Sequence, residues 1–277
     1  AGNKPMTPSF RLCHFIAVIT TCCIVSLASL RSVLSEPGSA VPTTTTGSAT
    51  VPLFNVWTIL RNCSFVSGHS HSYWNAPIFH PHAGTFAYSE PQPLTMLLTP
   101  FRQAGASPAL LYNAYLILSL TLNGGFAYLL LTSLSCRFLS SFAGAIGITL
   151  LPMVHDQLDV LQLVPLWPSL WILRNIFVLH RLCQSPNTSR PHLLWNAVQT
   201  GFALAVSAAA SLHHCLFLSI LLALSSPAFL WHSAWRRFIV TGAVATMIGA
   251  VLILPWAVPM KKIVDQQRFA RESELVS

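Results

Sequence analysis

Of the chain's 277 residues, 53% are hydrophobic and only 8% are charged, and its mean hydropathy is +0.59. A soluble domain carries about a quarter charged residues, so this sequence cannot clothe a globular surface in water. Nor does the net charge of +8 point to nucleic acid, because the 15 Lys and Arg stand mostly singly between segments too apolar to stay in water; such a balance suits basic inner loops facing anionic lipid.

Charge-free intervals predict an all-α, polytopic integral membrane helix bundle of about seven transmembrane helices, forming a single membrane domain over residues 1–277. Arg11 and Arg31 enclose 19 uncharged residues, long enough for a first helix over 12–30. The rival reading is a secretory signal peptide with Lys4 and Arg11 as its basic region. The apolar run, however, exceeds the roughly 7–15 residues of such segments, and no A-x-A site follows cleanly. Residues 31–107 read as a long first extracytoplasmic loop rich in Pro, Thr, Ser and His, with interfacial apolar patches such as Val51–Leu60.

Six further helices are predicted between residues 108 and 258. Pro108–Leu131 is the second span, with Asn123-Gly124-Gly125 inside it, where small residues permit a close helix approach or a kink. Phe138–His155 and Val160–His180 follow. Pro191–Trp235 contains no Lys, Arg, Asp or Glu and is too long for one helix, so it divides near His213-His214. Phe238–Val258 is the seventh span, and 259–277 form a polar outer tail. The seven cysteines include no C-x-x-C pair and are odd in number, which indicates neither a disulfide framework nor a zinc site.

Basic residues set the orientation. With a cytoplasmic N-terminus, Lys4, Arg11, Arg137, Arg181, Arg190, Arg236 and Arg237 fall inside, while Lys261, Lys262, Arg268 and Arg271 of the tail dissent. All seven carboxylates then lie outside, together with most of the histidines. Topology forces part of this clustering, since loops must be polar. A bacterial inner (plasma) membrane is the expected location.

Tyr73–Pro91, YWNAPIFHPHAGTFAYSEP, is the most informative stretch. Pro81, Gly84, Thr85, Tyr88, Ser89 and Glu90 match a Pro-x-x-Gly-Thr-x-x-Tyr-Ser-Glu-like pattern. Leu53-Phe54-Asn55-Val56-Trp57 matches an upstream Leu-x-Asn-x-Trp, Pro108–Leu131 carries an Ala-Tyr-Asn-like helix with a Gly pair, and Gln162 with Trp167-Pro168 echoes a Gln…Trp-Pro element. Over about residues 50–260 the chain thereby resembles the N-terminal part of the polytopic membrane glycosyltransferases of the GT-C superfamily, of the bacterial uncharacterised type. The resemblance implies transfer of a sugar from a polyprenyl-phosphate donor at the extracytoplasmic face, with a loop carboxylate as base and His or basic groups, in some members a divalent cation, on the donor phosphate. Two departures stand against it. Val51 precedes Pro52 where those enzymes commonly carry Asp, and relatives continue beyond the equivalent of Ser277, so a truncated or catalytically impaired copy is expected as readily as an active one.

Candidate residues follow, each with a structural alternative. Glu90 is a catalytic candidate; otherwise it caps a helix N-terminus. Asp156 and Asp159 flank an outer turn and either face a water-filled cavity or simply end two helices. Tyr88, Ser89 and Gln162 are candidate substrate contacts. Lys261 and Lys262 could bind a donor phosphate or meet lipid headgroups. His80 and His82, like His69 and His71, have the two-apart spacing that puts both rings on one face of a strand, as a metal site would use, or are loop histidines at the interface. Membrane lipid and a polyprenyl-phosphate donor are the expected partners. The rivals to a transferase are a non-catalytic membrane remnant and a transporter. The latter would place ionisable groups at mid-span, where the chain has little besides Arg174.

Overall fold

The computed structural model describes residues 8–43, 50–70, 72–78, 83–230 and 234–267, and among these every regular element is helical. The helices are α1 (Pro8–Ser29), the single turn α2 (Arg31–Leu34), α3 (Thr50–Val66), the short α4 (Thr99–Gln103), α5 (Pro108–Ser133), α6 (Phe138–Thr149), the single turn α7 (Pro152–His155), α8 (Trp167–Gln184), α9 (Arg190–Ala210), α10 (Leu212–Leu230) and α11 (Trp235–Gln267). Seven segments are long and apolar enough to cross a bilayer: Leu12–Ser29, Pro108–Ser133, Phe138–His155, Leu161–Gln184, Arg190–Ala210, Leu212–Phe229 and Trp235–Asp265. The chain is a polytopic, all-helical integral membrane protein.

The helix boundaries differ from the sequence reading where local chemistry intervenes. The fourth span starts its α-helix at Trp167 rather than Val160, because Pro165 and Pro168 confine the preceding residues to a 3₁₀ turn at Leu161–Leu163. The break between the fifth and sixth spans falls at Ser211, whose extended backbone (φ −161°) interrupts the helix two residues before His213-His214. In the last span α11 runs through Pro255 and Pro259 as far as Gln267, so Lys261 and Lys262 stand on a helix and not in an irregular tail. The long loop between the first and second spans is likewise largely structured, holding α3, α4 and 3₁₀ turns at Thr85–Tyr88 and Pro93–Leu98.

At the centre lies α5. Ser107 caps it by accepting the Leu110 N–H at 3.2 Å, with Pro108 at the first helical position. It packs against α1, α6 and α8; α8 in turn meets α9, and α9 meets α11. Gly124 and Gly125 make the α1–α5–α6 contact possible. A Cβ at Gly124 would stand 2.3 Å from Thr149 Oγ1 and 2.5 Å from Cys22 Sγ, and one at Gly125 would stand 2.4 Å from Ile19 Cδ1. Without a hydrophobic driving force between helices in lipid, such close approach supplies the dispersion contacts that hold them. The α9–α11 crossing uses the same device at Gly201, where a Cβ would meet the Ala245 carbonyl at 2.6 Å.

Polar side chains of α5 fasten the loops to this frame. Asn113 Nδ2 donates to the carbonyls of Pro37 and Ala40, the Tyr112 hydroxyl donates to the Leu158 carbonyl, and Asn123 bridges the Val164 carbonyl and the Trp167 N–H. Each satisfies irregular backbone that water would otherwise have to reach. The principal apolar core, with Ile59, Leu111, Tyr112, Leu116, Leu120, Val154, Leu161 and Val164, lies beneath these loops.

These contacts also identify the two ends of the bundle. Ser133–Ser135 and His180–Arg181 share a groove, and His180 meets the rings of Phe229 and Phe238, so the α5–α6, α8–α9 and α10–α11 connections lie together. That end carries Arg137, Arg181, Arg190, Arg236 and Arg237 and, among the described residues, no carboxylate. At the other end Asn113 holds the carbonyl beside Glu36, Glu90 meets Leu212, Asn55 meets Asp159, and Tyr88 meets the carbonyl beside Asp265. With Asp156, these are all five of the described Asp and Glu residues.

Candidate functional site at the carboxylate end

The loop segment Tyr73–Pro91 is built on α3. Arg61 gathers the carbonyls of Ser72, Tyr73 and Asn75 with its guanidinium, and burial lowers its pKa from the ordinary value. The next residue, Asn62, points about 100° round the helix and donates to the Pro91 carbonyl (2.7 Å), the Gln92 carbonyl (3.0 Å) and Thr95 Oγ1 (2.7 Å). The Tyr73 hydroxyl donates to Asn62 Oδ1 at 2.9 Å, and burial pushes the phenol pKa up, so it stays a donor. Trp57, Tyr73, Trp74 and Phe86 close around this polar knot, and the Trp256 ring of α11 meets Trp74 at a tilt of 43°.

Gln92 is the second anchor. It is buried and its φ of +46° lies in the left-handed region, an uncommon conformation for a residue with a Cβ. What holds it there is its side chain: Nε2 donates to Asn55 Oδ1 at 2.8 Å and to Gln162 Oε1 at 3.1 Å. Asn55 Nδ2 continues the chain to the Asp159 carbonyl at 2.9 Å. An amide relay thus ties the α3 helix, the loop and the 156–166 connection into one unit.

Glu90, flanked by these anchors, reaches the start of α10. Its Oε1 accepts the Leu212 N–H at 2.7 Å and its Oε2 lies 2.6 Å from His213 Nδ1. Ser211 Oγ accepts the His214 N–H at 3.2 Å. Two of the four N–H groups that open α10 are therefore satisfied by side chains, one of them from 122 residues away. The Glu90 side chain is 10% exposed while that of His213 is 56% exposed. Because an ionised carboxylate only accepts, the bond requires a proton on Nδ1 and leaves Nε2 to face outward.

The other sequence candidates are placed as follows. Asp159 is buried beside Asn55, whereas Asp156 is exposed. Both stand on a turn over residues 156–159, with α7 before it and the 3₁₀ turn at Leu161–Leu163 after it. Gln162 belongs to the amide relay. Ser89 Oγ donates to the Phe86 carbonyl at 2.9 Å, and the Tyr88 hydroxyl is 3.5 Å from the Val264 carbonyl. Lys261 pairs with Asp265 at 2.5 Å on the exposed face of α11, and Lys262 is exposed beside it. His80 and His82 lie outside the described residues, as do His71, Arg268 and Arg271. Among the described residues no three His, Cys, Asp or Glu side chains come together.

In the sequence His213 marks only the division between two spans, and no local pattern singles out Gln92 or Arg61. Asn55 and Gln92 were visible only as an amide inside Leu-x-Asn-x-Trp and as the residue between Pro91 and Pro93. Comparison with protein family models, with curated proteins and with solved structures found no match to this chain.

Proposed function

We propose that the chain is a membrane glycosyltransferase-like protein acting at the extracytoplasmic face of a bacterial plasma membrane, with its N-terminus cytoplasmic and its carboxylate end outside. The Glu90–His213 pair carries this reading. It sets a carboxylate from the transferase-like segment beside a solvent-facing imidazole. A base oriented by a second group is the arrangement that hydroxyl activation needs.

In this scheme the acceptor hydroxyl oxygen forms the bond to the anomeric carbon of the sugar as the bond from that carbon to the phosphate oxygen breaks. His213 Nε2 takes the hydroxyl proton, and Glu90 stabilises the imidazolium that results. The departing polyprenyl phosphate keeps the electron pair, and Lys261 and Lys262 supply positive charge near it. Asp156, like Glu36 and Asp265, is exposed at this end.

A non-catalytic membrane remnant is the second reading, and one observation favours it. Val51 stands, 37% exposed, where the resemblance expects an Asp. The test is transfer of radiolabelled sugar from polyprenyl-phosphate donors in proteoliposomes holding the full chain. Activity lost in Glu90→Gln and His213→Gln supports the pair as the catalytic centre. Activity absent in wild type and gained in Val51→Asp identifies an impaired transferase, and silence in all variants across the donor panel favours the remnant.

A further inference from the structure

The basic end of the bundle holds a groove that this chemistry does not use. It runs between the α5–α6 turn and the last turns of α8 and is lined by Ser133, Leu134, Ser135, Phe177, His180 and Arg181, with a volume of about 210 Å³. Its composition is divided. Leu134 and Phe177 form an apolar wall, while Ser135, His180 and Arg181 are polar or basic.

Electrostatics there favour an anion in spite of two helix C-termini, whose exposed carbonyls would repel one. The last carbonyls of α5 are already occupied. Leu130 O accepts from the Leu134 N–H, Leu131 O from the Leu134 and Cys136 N–H groups, and Thr132 O from the Ser135 N–H. Ser135, at φ +65°, makes the left-handed turn that folds these donors back. Arg181 has no described carboxylate at its end of the molecule, where Arg137, Arg190, Arg236 and Arg237 add to the same positive field.

We propose that this groove seats one anionic phospholipid of the adjoining leaflet, its phosphate against Arg181, His180 and Ser135 and its first acyl carbons against Leu134 and Phe177. The position decides for lipid over a free ion. Ser133 and Gln184 are the last residues of two membrane spans, so the groove opens at headgroup depth. A dissolved phosphate would make no use of the Leu134 and Phe177 wall, whereas a glycerophospholipid matches both halves.

The experiment is native mass spectrometry of the detergent-purified full chain, titrated with phosphatidylglycerol or with phosphatidylcholine of the same acyl chains. Wild type should retain one phosphatidylglycerol at an occupancy about fivefold above phosphatidylcholine, the factor expected for a basic side chain at an anionic lipid surface. Arg181→Gln with Ser135→Ala should fall to the phosphatidylcholine level. Arg190→Gln, basic at the same end but outside the groove, should keep the preference. Leu134→Trp, which fills the groove and leaves every charge in place, should lose it as well, and far-ultraviolet circular dichroism checks that each variant is folded. Equal retention of the two lipids by wild type would overturn the proposal. So would an equal loss in Arg190→Gln, which means diffuse surface charge, or displacement by millimolar inorganic phosphate, which means an ion site.

Discussion

Glu90 and Leu212 meet as a carboxylate and a backbone N–H at 2.7 Å, so the long first loop supplies the cap for the sixth membrane span. The α10 helix needs that support more than its neighbours do, because only 6% of its membrane window is buried in the bundle. A loop that caps a helix in this way also sets where the helix begins, and with it the position of His213.

Removing the acceptor should therefore destabilise α10 selectively. We expect Glu90→Ala to lower stability by about 0.5–2 kcal/mol, the usual cost of losing a helix cap. Glu90→Gln keeps an acceptor oxygen and should lose less. Thermal unfolding in detergent, followed by circular dichroism at 222 nm, ranks the two. A Tm unchanged in both variants would show that the contact contributes nothing to the fold.

Gly124→Ala places a methyl group against Thr149 Oγ1 and Cys22 Sγ. The expected loss is about 1–3 kcal/mol, typical of an overfilled interface. Gly147→Ala, on α6 with open space around its Cβ, should be neutral or slightly stabilising. Adding Thr149→Ala to Gly124→Ala should recover part of the loss. Unfolding by graded addition of denaturing detergent measures all three, and additive effects would refute the direct contact.

Gln92→Ala should loosen the long first loop. It leaves Asn55 Oδ1 and Gln162 Oε1 without their shared donor, and an unsatisfied buried polar group costs about 1–3 kcal/mol. Amide hydrogen exchange should quicken between residues 83 and 98 and in the 156–166 connection together, since the relay joins them. Faster exchange in one segment only would separate them.

Thiol labelling tests the orientation. Cys136 is exposed at the basic end, whereas Cys63 is buried and burial raises its thiol pKa, so little thiolate is present near pH 7. In a variant keeping only these two cysteines, a membrane-impermeant maleimide should label Cys136 in inverted vesicles and leave intact cells unlabelled. Labelling of Cys136 from outside would reverse the proposed topology.

The membrane class and the approximate spans were legible because their signals are local. Uncharged runs of 18 residues or more need no tertiary context, and Gly124-Gly125 marks a close contact whatever the partner. Glu90 shows where local information stops. A capping role could be named from its position after Tyr88-Ser89, but the capped helix starts 122 residues later, and no local pattern links them. The amide relay was hidden for a similar reason. Asn55, Gln92 and Gln162 each stand alone in sequence, and only the fold gives one the other's oxygen. Helix ends moved at Pro165, Pro168 and Ser211, where backbone constraints overrode hydropathy.

The brevity of α6 has a consequence for the bilayer around it. Twelve residues of α-helix rise ~18 Å, against the ~30 Å of hydrocarbon that a span must cross. The shortfall is met by Leu150–His155, a stretch in which Pro152 ends regular hydrogen bonding while Leu150 and Met153 remain exposed to lipid. A broken helix at that depth leaves a carbonyl in oil, and here the His155 ring N–H at Nε2 donates to the Thr149 carbonyl at 3.0 Å and seals it. Acyl chains beside α6 thus meet a wall completed by a broken turn and closed by a histidine, and the span Phe138–His155 reaches nearly across the bilayer without a continuous α-helix.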